Sequence, residues 1–123
     1  MSVLVIGGAG YIGAHVVRLL QQAGVDVVVV DDLSTSSAER VGGAPLVVMD
    51  VAADDAVARL EDIMREHEVE AVIHFAARKQ VGESVQRPLW YYRQNVGGMV
   101  NVLDAMEATG VRRMIFSSSA AVY

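Results

Sequence analysis

A glycine-rich segment near the start of the sequence constrains this chain more than any other feature. Gly7–Gly13 reads Gly-Gly-Ala-Gly-Tyr-Ile-Gly. It follows Val3–Ile6, which predicts a buried strand, and leads into Tyr11–Ala23, where apolar residues recur at helical spacing. Main-chain N–H groups at such a bend can hold a pyrophosphate when no Cβ blocks its approach. The segment predicts a phosphate-binding turn, although a tight turn alone would also use these glycines.

An acidic pair follows the second apolar run. Val27–Val30 predicts a strand, and Asp31 comes directly after it, 18 residues beyond Gly13. A carboxylate at that position can accept hydrogen bonds from the ribose diol of adenosine, and it would repel a 2′-phosphate. Asp32 would add to this repulsion. We therefore expect NAD and not NADP; the plainer interpretation is that the two acids only end a strand.

The remaining chain alternates between short apolar runs and helical patterns. A third strand is predicted at Leu46–Met49, a fourth at Ala71–Phe75 and the beginning of a fifth at Met114–Phe116, with helices at Asp54–Glu66 and about Tyr91–Ala108. The pattern also predicts a loop or a short irregular helix at Leu33–Gly43 and a long connection at Ala76–Pro88. Buried strands separated by helices predict an α/β fold with a doubly wound parallel sheet. We expect the strand order 3-2-1-4-5, ending after about five strands, in one domain spanning residues 1–123.

The helical patterns also predict which side chains share a face. The first helix carries a stripe of apolar residues and ends at Gly24, whereas the third ends at Gly110. In the second helix, Val57, Leu60 and Met64 are expected to face inward. The predicted stripes are Ile12, Val16, Leu20 and Ala23 in the first helix, and Val96, Val100 and Leu103 in the third.

Charge and composition exclude several classes of function. The net charge of −5 argues against non-specific nucleic-acid binding. The absence of cysteine removes disulfides, a thiol nucleophile and Cys-ligated zinc, and it fits a reducing cytoplasm. His15, His67 and His74 have a spacing that suits no compact metal site. We expect a cytoplasmic protein without a signal peptide, a membrane span, a metal or a nucleic-acid partner.

Several further motifs occur in one fixed order along the chain. They are His74-Phe75-Ala76-Ala77, Lys79, Val81-Gly82-Glu83-Ser84-Val85, Pro88-Leu89, Tyr91-Tyr92, Asn95-Val96 and Ile115-Phe116-Ser117-Ser118-Ser119-Ala120-Ala121-Val122-Tyr123. Together with the glycine segment, they closely resemble the UDP-glucose 4-epimerases, which are extended short-chain dehydrogenases/reductases, over Val3–Tyr123. The resemblance implies a Rossmann fold, NAD as the cofactor, and interconversion of UDP-galactose and UDP-glucose by transient hydride transfer to NAD.

The resemblance also implies a role for individual residues. On the adenosine side, the matching positions are Gly7, Gly10, Tyr11, Ile12 and Gly13 for the pyrophosphate, Asp31, Asp32 and Ser34 around the ribose, and Asp50 and Val51 at the adenine. On the other side, they are Phe75, Ala76 and Ala77 under the cofactor, Lys79 near its ribose and phosphates, Asn95 holding the fourth-strand turn, Ser117 beside the nicotinamide, and Ser119 as the active-site serine.

One element of the family's chemistry is missing from these 123 residues. The family's proton acceptor is the tyrosine of a Tyr-x-x-x-Lys pair, in which the cationic lysine favours the tyrosinate. No tyrosine here is followed four residues later by a lysine, because Lys79 is the only lysine. We therefore expect the first portion of such an enzyme, which binds NAD but does not epimerise UDP-sugars alone.

An open edge at the fifth strand, together with apolar helix faces, would favour a homodimer or a larger assembly. Two alternatives remain for the chain as a whole. The first is a portion of another nucleotide-sugar epimerase, dehydratase or reductase. The second is a non-enzymatic module whose role is self-association. Titration with NAD separates the second from the cofactor-binding interpretations.

Overall fold

Strands and helices make up most of the described part of the computed structural model, which comprises residues 2–7, 11–32, 43–75 and 88–116. The elements are β1 (Ser2–Ile6), α1 (Tyr11–Gln22), β2 (Asp26–Asp31), β3 (Leu46–Val48), α2 (Ala56–Glu66), β4 (Val69–His74), α3 (Pro88–Thr109) and β5 (Arg113–Phe116). All the predicted strands and helices are therefore present, with ends shifted by a few residues. The predicted loop at 33–43 and the connection at 76–88 lie almost entirely outside the described residues.

The five strands form one parallel sheet in the order β3-β2-β1-β4-β5, which confirms the predicted topology. The chain first builds outward from β1 to β2 and β3. It then returns to the other side of β1 to add β4 and β5. The strand order thus reverses at β1, and in open parallel sheets this point marks the crevice where ligands bind.

Both faces of the sheet are covered, so β1 and β2 contain uninterrupted apolar runs at Val3–Ile6 and Val27–Val30. In β1, Leu4 and Ile6 pack in one core cluster with residues of α2 and α3. The alternate residues Val3 and Val5 pack on the other face with Val17 of α1. Side chains alternate between the two faces of a strand, and burial of both faces explains the continuous run of Val, Leu and Ile.

The buried face of helix α1 includes only part of its predicted stripe, because Leu20 packs against the core and Val16 is half-buried. The buried positions are Gly13, Ala14 and Val17, whereas Ile12 is 51% exposed and Ala23 lies beyond the end of the helix. Small residues at 13 and 14 let the helix backbone approach the sheet closely. Apolar residues occur around most of this helix, and periodicity alone therefore does not define its buried face.

The face of α2 is largely as predicted, whereas the beginning of α3 differs. Leu60 and Met64 are buried in the core, and Val57 is half-buried. Helix α3 begins at Pro88, three residues before the expected Tyr91. Proline is well suited to a first helical turn, because its fixed φ is helical and its missing N–H would have no partner within the helix.

The predicted apolar stripe of α3 points to solvent. Val96, Val100 and Leu103 share one face, as expected, and are 42–47% exposed. The core is formed instead by a neighbouring face of the helix, which carries Val102, Ala105 and Met106. On β5, Ile115 is 65% and Phe116 45% exposed, so this edge strand is less covered than the central ones. No helix in the described ranges is long and apolar enough to cross a bilayer.

Candidate functional site: the carboxyl edge of the sheet

Four strands end at the same level on one edge of the sheet. Ile6 is the register partner of both Val30 and His74, and His74 is in turn the partner of Phe116. Backbone hydrogen bonds extend this alignment beyond β1, because the Gly7 N–H donates to the Val30 carbonyl at 2.7 Å and the Phe75 N–H donates to the Ile6 carbonyl at 2.6 Å. The ends of β1, β2, β4 and β5 therefore lie together at one edge of the sheet.

The turn after β1 begins with a glycine in a conformation that other residues rarely adopt. Gly7 has φ +84°, in the left-handed region where a Cβ would be strained. Helix α1 then begins at Tyr11, so its N-terminus lies at this edge. The first turn of α1 contains no acidic residue that would oppose a bound anion. Gly13 is buried within α1, as expected for a residue at a close helix–sheet contact.

Asp31 is placed beside this turn by the sheet register. Since Ile6 pairs with Val30, the next residues Gly7 and Asp31 lie side by side at the ends of their strands. Adjacent strands are about 4.8 Å apart, so the acid lies next to the glycine turn that begins at Gly7. Asp31 is only 9% exposed, and its carbonyl accepts a hydrogen bond from the Met49 N–H at 3.0 Å. Asp32 follows at a half-buried position.

A tight turn after β3 adds a second carboxylate to the same edge. The Ala52 N–H donates to Oδ1 of Asp50 at 2.9 Å, and the Ala53 N–H donates to the Asp50 carbonyl at 3.1 Å. Val51 is 7% exposed and belongs to the core cluster under α2 and α3. The structure thus brings the predicted pair Asp50–Val51 to the end of β3, next to β2 and Asp31.

The ends of β4 and β5 are joined by an aromatic contact. His74 is 3% exposed, and its ring centroid lies 5.4 Å from that of Phe116, with 52° between the ring planes. Phe75, the next residue along the chain, is half-buried against the core cluster on the α1 side of the sheet. His74, Phe75 and Phe116 thus lie at the ends of β4 and β5, on the other side of β1 from Asp31.

One polar residue at this edge carries no recognisable motif. Asn101 of α3 donates from Nδ2 to the Val51 carbonyl at 2.8 Å and to the Ala53 carbonyl at 3.4 Å. Asparagine is a poor residue for a helix interior, because its side chain competes for backbone hydrogen bonds. That low propensity is the only sequence signal that could have drawn attention to Asn101.

The remaining predicted residues divide into two groups. Ile12 is exposed near the beginning of α1, and the backbones of Tyr11 and Asn95 lie in α1 and α3. Outside the described residues are Gly10, Ser34, Ala76, Ala77, Lys79, Ser117 and Ser119. Within the described ranges, no three His, Asp or Glu side chains cluster as a metal site.

A parallel sheet with a glycine turn and a buried acid at its switch point defines a Rossmann-type α/β protein. Comparison with known families gives a match over residues 3–123 to the model of the NAD dependent epimerase/dehydratase family. The chain belongs to this family.

Individual relatives agree with this assignment. A UDP-glucose 4-epimerase of Klebsiella pneumoniae is 47% identical over 100% of this chain and 92% of that protein. The UDP-glucose 4-epimerase of Bacillus subtilis (strain 168) is 46% identical over 100% of this chain, which spans only 38% of its length. The solved UDP-glucose 4-epimerase of Stenotrophomonas maltophila, with bound NAD and formylated UDP-arabinopyranose, has a TM-score of 0.89 and 45% identity, covering 100% of this chain and 38% of that one.

Proposed function

We propose that this chain binds NAD at the carboxyl edge of its sheet, as the cofactor-binding portion of a UDP-glucose 4-epimerase. The observation that carries the proposal is the position of Asp31. This nearly buried carboxylate lies level with Gly7 and beside the N-terminus of α1. A diphosphate binds to backbone N–H donors, and the adjoining ribose diol binds to a carboxylate acceptor. The two kinds of group lie side by side at this edge, as such a ligand requires.

The cofactor would extend across the sheet from β3 to β5. Its adenine lies at Asp50 and Val51, and its ribose diol donates to Asp31, with Asp32 and Ser34 alongside. The pyrophosphate meets the N–H groups of the bend that comprises Gly7, Gly10, Tyr11, Ile12 and Gly13. The nicotinamide half lies towards β4 and β5, where the resemblance assigns roles to Phe75, Ala76, Ala77, Lys79, Asn95, Ser117 and Ser119.

Within a complete enzyme, the substrate would be a UDP-hexose. NAD supplies a hydride acceptor there, and Ser119 would hydrogen-bond the hydroxyl that is oxidised. The 123 residues contain no Tyr-x-x-x-Lys pair to take the proton from that hydroxyl. The 123-residue polypeptide is therefore proposed to bind the cofactor without epimerising UDP-galactose or UDP-glucose.

Titration of the purified chain with NAD tests this proposal. Calorimetry should give one site per chain, and an NAD concentration of 100 times Kd should stabilise the fold by about 2.7 kcal/mol. NADP should bind more weakly than NAD, because its 2′-phosphate would approach Asp31 and Asp32. The absence of both heat and thermal protection would favour the alternative of a non-enzymatic self-associating module.

We also propose that the chain associates with a second copy through the exposed apolar face of α3. Leu89, Val96, Val100 and Leu103 occupy helical positions i, i+7, i+11 and i+14 and are 42–71% exposed. That spacing keeps all four side chains on one side of the helix, where they form an exposed apolar strip. An unpartnered strip of this kind favours pairing with the same surface of another copy.

The proposed location is the cytoplasm. The chain has no cysteine, which is compatible with a reducing compartment. Fractionation of the source cells with an antibody against the chain would test the location, and recovery with secreted proteins would contradict it.

A further inference from the structure

The turn at residues 50–53 is connected to α3 by a side chain nearly fifty positions away in sequence. Asn101 donates from Nδ2 to the Val51 carbonyl at 2.8 Å and more weakly to the Ala53 carbonyl at 3.4 Å. Asn101 is half-buried, so these bonds are partly shielded from water. A half-buried amide that bonds two carbonyls of a distant turn restrains that turn relative to the helix.

The Val51–Ala52 peptide is held at both of its polar ends. Its carbonyl accepts from Asn101, and its N–H donates to Oδ1 of Asp50 at 2.9 Å. The trans peptide is a rigid plane whose C=O and N–H point in opposite directions. Fixing the carbonyl therefore fixes the direction of the N–H, and through it the Asp50 carboxylate.

Helix α3 also approaches this turn closely because it has a glycine there. Gly98 is buried, and a Cβ added to it would lie 3.0 Å from Cγ2 of Val51. A separation of that size requires Val51 to move by a few tenths of an ångström. The adjacent Gly97 has nothing within 4 Å of an added Cβ. Of these two adjacent glycines, only Gly98 would bring an added Cβ into contact with the turn.

We propose that Asn101 and Gly98 are positioning residues for the adenine end of the cofactor. They act through the 50–53 turn, and the inference rests on the proposed NAD site. One oxygen of Asp50 already accepts the Ala52 N–H, and a carboxylate has further lone pairs with which to accept an adenine amino group. Residues of α3 determine the orientation of that carboxylate. Substitutions at Asn101 and Gly98 should therefore mainly lower the affinity for adenine nucleotides.

Two variants with matched controls separate positioning from general stability. Asn101→Asp keeps the side-chain shape but removes the donor, and its control Asp104→Ala changes an exposed residue of the same helix. Gly98→Ala and Gly97→Ala should increase helix propensity equally, but only Gly98→Ala crowds Val51. The Kd values for NAD and for ADP should be measured at a temperature where circular dichroism shows every variant to be folded.

The expected result is a loss of affinity at the two positioning residues alone. Asn101→Asp should weaken NAD and ADP by the same factor, about five- to tenfold, which corresponds to one net hydrogen bond. Gly98→Ala should weaken both by about threefold or more, as is typical of mild overpacking. Both control variants should bind within about twofold of wild type, since surface changes of this kind are usually worth under 0.5 kcal/mol.

Hydrogen exchange distinguishes a local loosening of the 50–53 turn from a general loss of stability, which would also speed exchange in the central strands. In the ligand-free Asn101→Asp variant, the Ala52 amide should exchange about tenfold faster, because one net hydrogen bond holding its peptide is lost. Amides of the central strand β1 should be unaffected.

A lower melting temperature with unchanged Kd values for NAD and ADP in both positioning variants would overturn the inference while leaving the proposed function intact. Wild-type protein that binds neither NAD nor ADP would overturn the proposed function, and this inference with it.

Discussion

Replacement of Asp31 by alanine should weaken NAD binding and reduce the preference for NAD over NADP. The carboxylate is 9% exposed and lies beside Gly7 at the strand ends. Hydrogen bonds to a charged acceptor contribute about 1.5–3 kcal/mol, so loss of the ribose contact should raise the Kd for NAD by about 10- to 150-fold. The whole loss of NAD affinity should come from the adenosine ribose, because Asp31→Ala leaves the glycine bend proposed to bind the pyrophosphate unchanged.

The same substitution should lower the Kd for NADP, whereas it raises the Kd for NAD. Two unit charges 4 Å apart repel by about 4 kcal/mol at an effective dielectric constant of 20, so removal of the Asp31 charge relieves a large penalty on the 2′-phosphate. We expect the ratio of the Kd for NADP to the Kd for NAD to fall by at least about tenfold, even though Asp32 remains.

Asp26 supplies a matched control within the same strand. It is exposed at the opposite end of β2, about 17 Å from Asp31 at 3.3 Å per residue. Asp26→Ala removes the same charge but should leave both Kd values within about twofold, because its distance exceeds the Debye length of about 8 Å. Calorimetric titration of both variants provides the comparison. Equal losses in the two variants, or wild-type affinity in Asp31→Ala, would refute the reasoning.

Three further outcomes are expected. Leu60→Ala, at a fully buried position, should lower the free energy of unfolding by about 2–5 kcal/mol in urea denaturation. Leu19→Ala, at a position of α1 that is 51% exposed and outside the proposed self-association surface, should change the free energy of unfolding by less than about 0.5 kcal/mol; equal effects of the two substitutions would contradict the core assignment. Val100→Glu should shift the light-scattering mass towards the monomer, whereas a monomeric wild type would contradict self-association through α3. The purified 123-residue chain should not convert UDP-galactose to UDP-glucose in a coupled assay, and turnover above the background of a mock purification would contradict this expectation.

The strand content and topology were predictable because they depend on strong local signals. Val3–Ile6 and Val27–Val30 are uninterrupted apolar runs, and helical segments follow the first, third and fourth strands. Right-handed crossovers then leave few ways to arrange parallel strands, which gives the order 3-2-1-4-5. Gly7 and Asp31 were predictable for the same reason, since each directly follows one of these runs.

Helix orientation was less predictable, because it depends on packing between distant elements. Periodicity predicted the Ile12 stripe of α1, but the small residues Gly13 and Ala14 determine how the helix approaches the sheet. In α3, the Val96–Leu103 stripe is real but faces solvent, while Val102 and its neighbours fill the core. Hydrophobicity identifies an apolar face without indicating what covers it.

The contact of Asn101 with the 50–53 turn could not have been predicted from sequence at all. The two partners are nearly fifty residues apart, and neither lies in a motif that specifies the other. Their meeting depends on how α3 crosses the sheet edge and on the absence of a Cβ at Gly98. Such contacts are properties of the assembled fold.

The most direct test of the NAD site is a crystal structure of the chain grown with excess NAD. The dinucleotide should lie across the carboxyl edge, with its pyrophosphate against the bend after β1 and a ribose diol hydrogen-bonded to Asp31. A dinucleotide bound elsewhere, or a bend left empty at saturating NAD, would contradict the proposal.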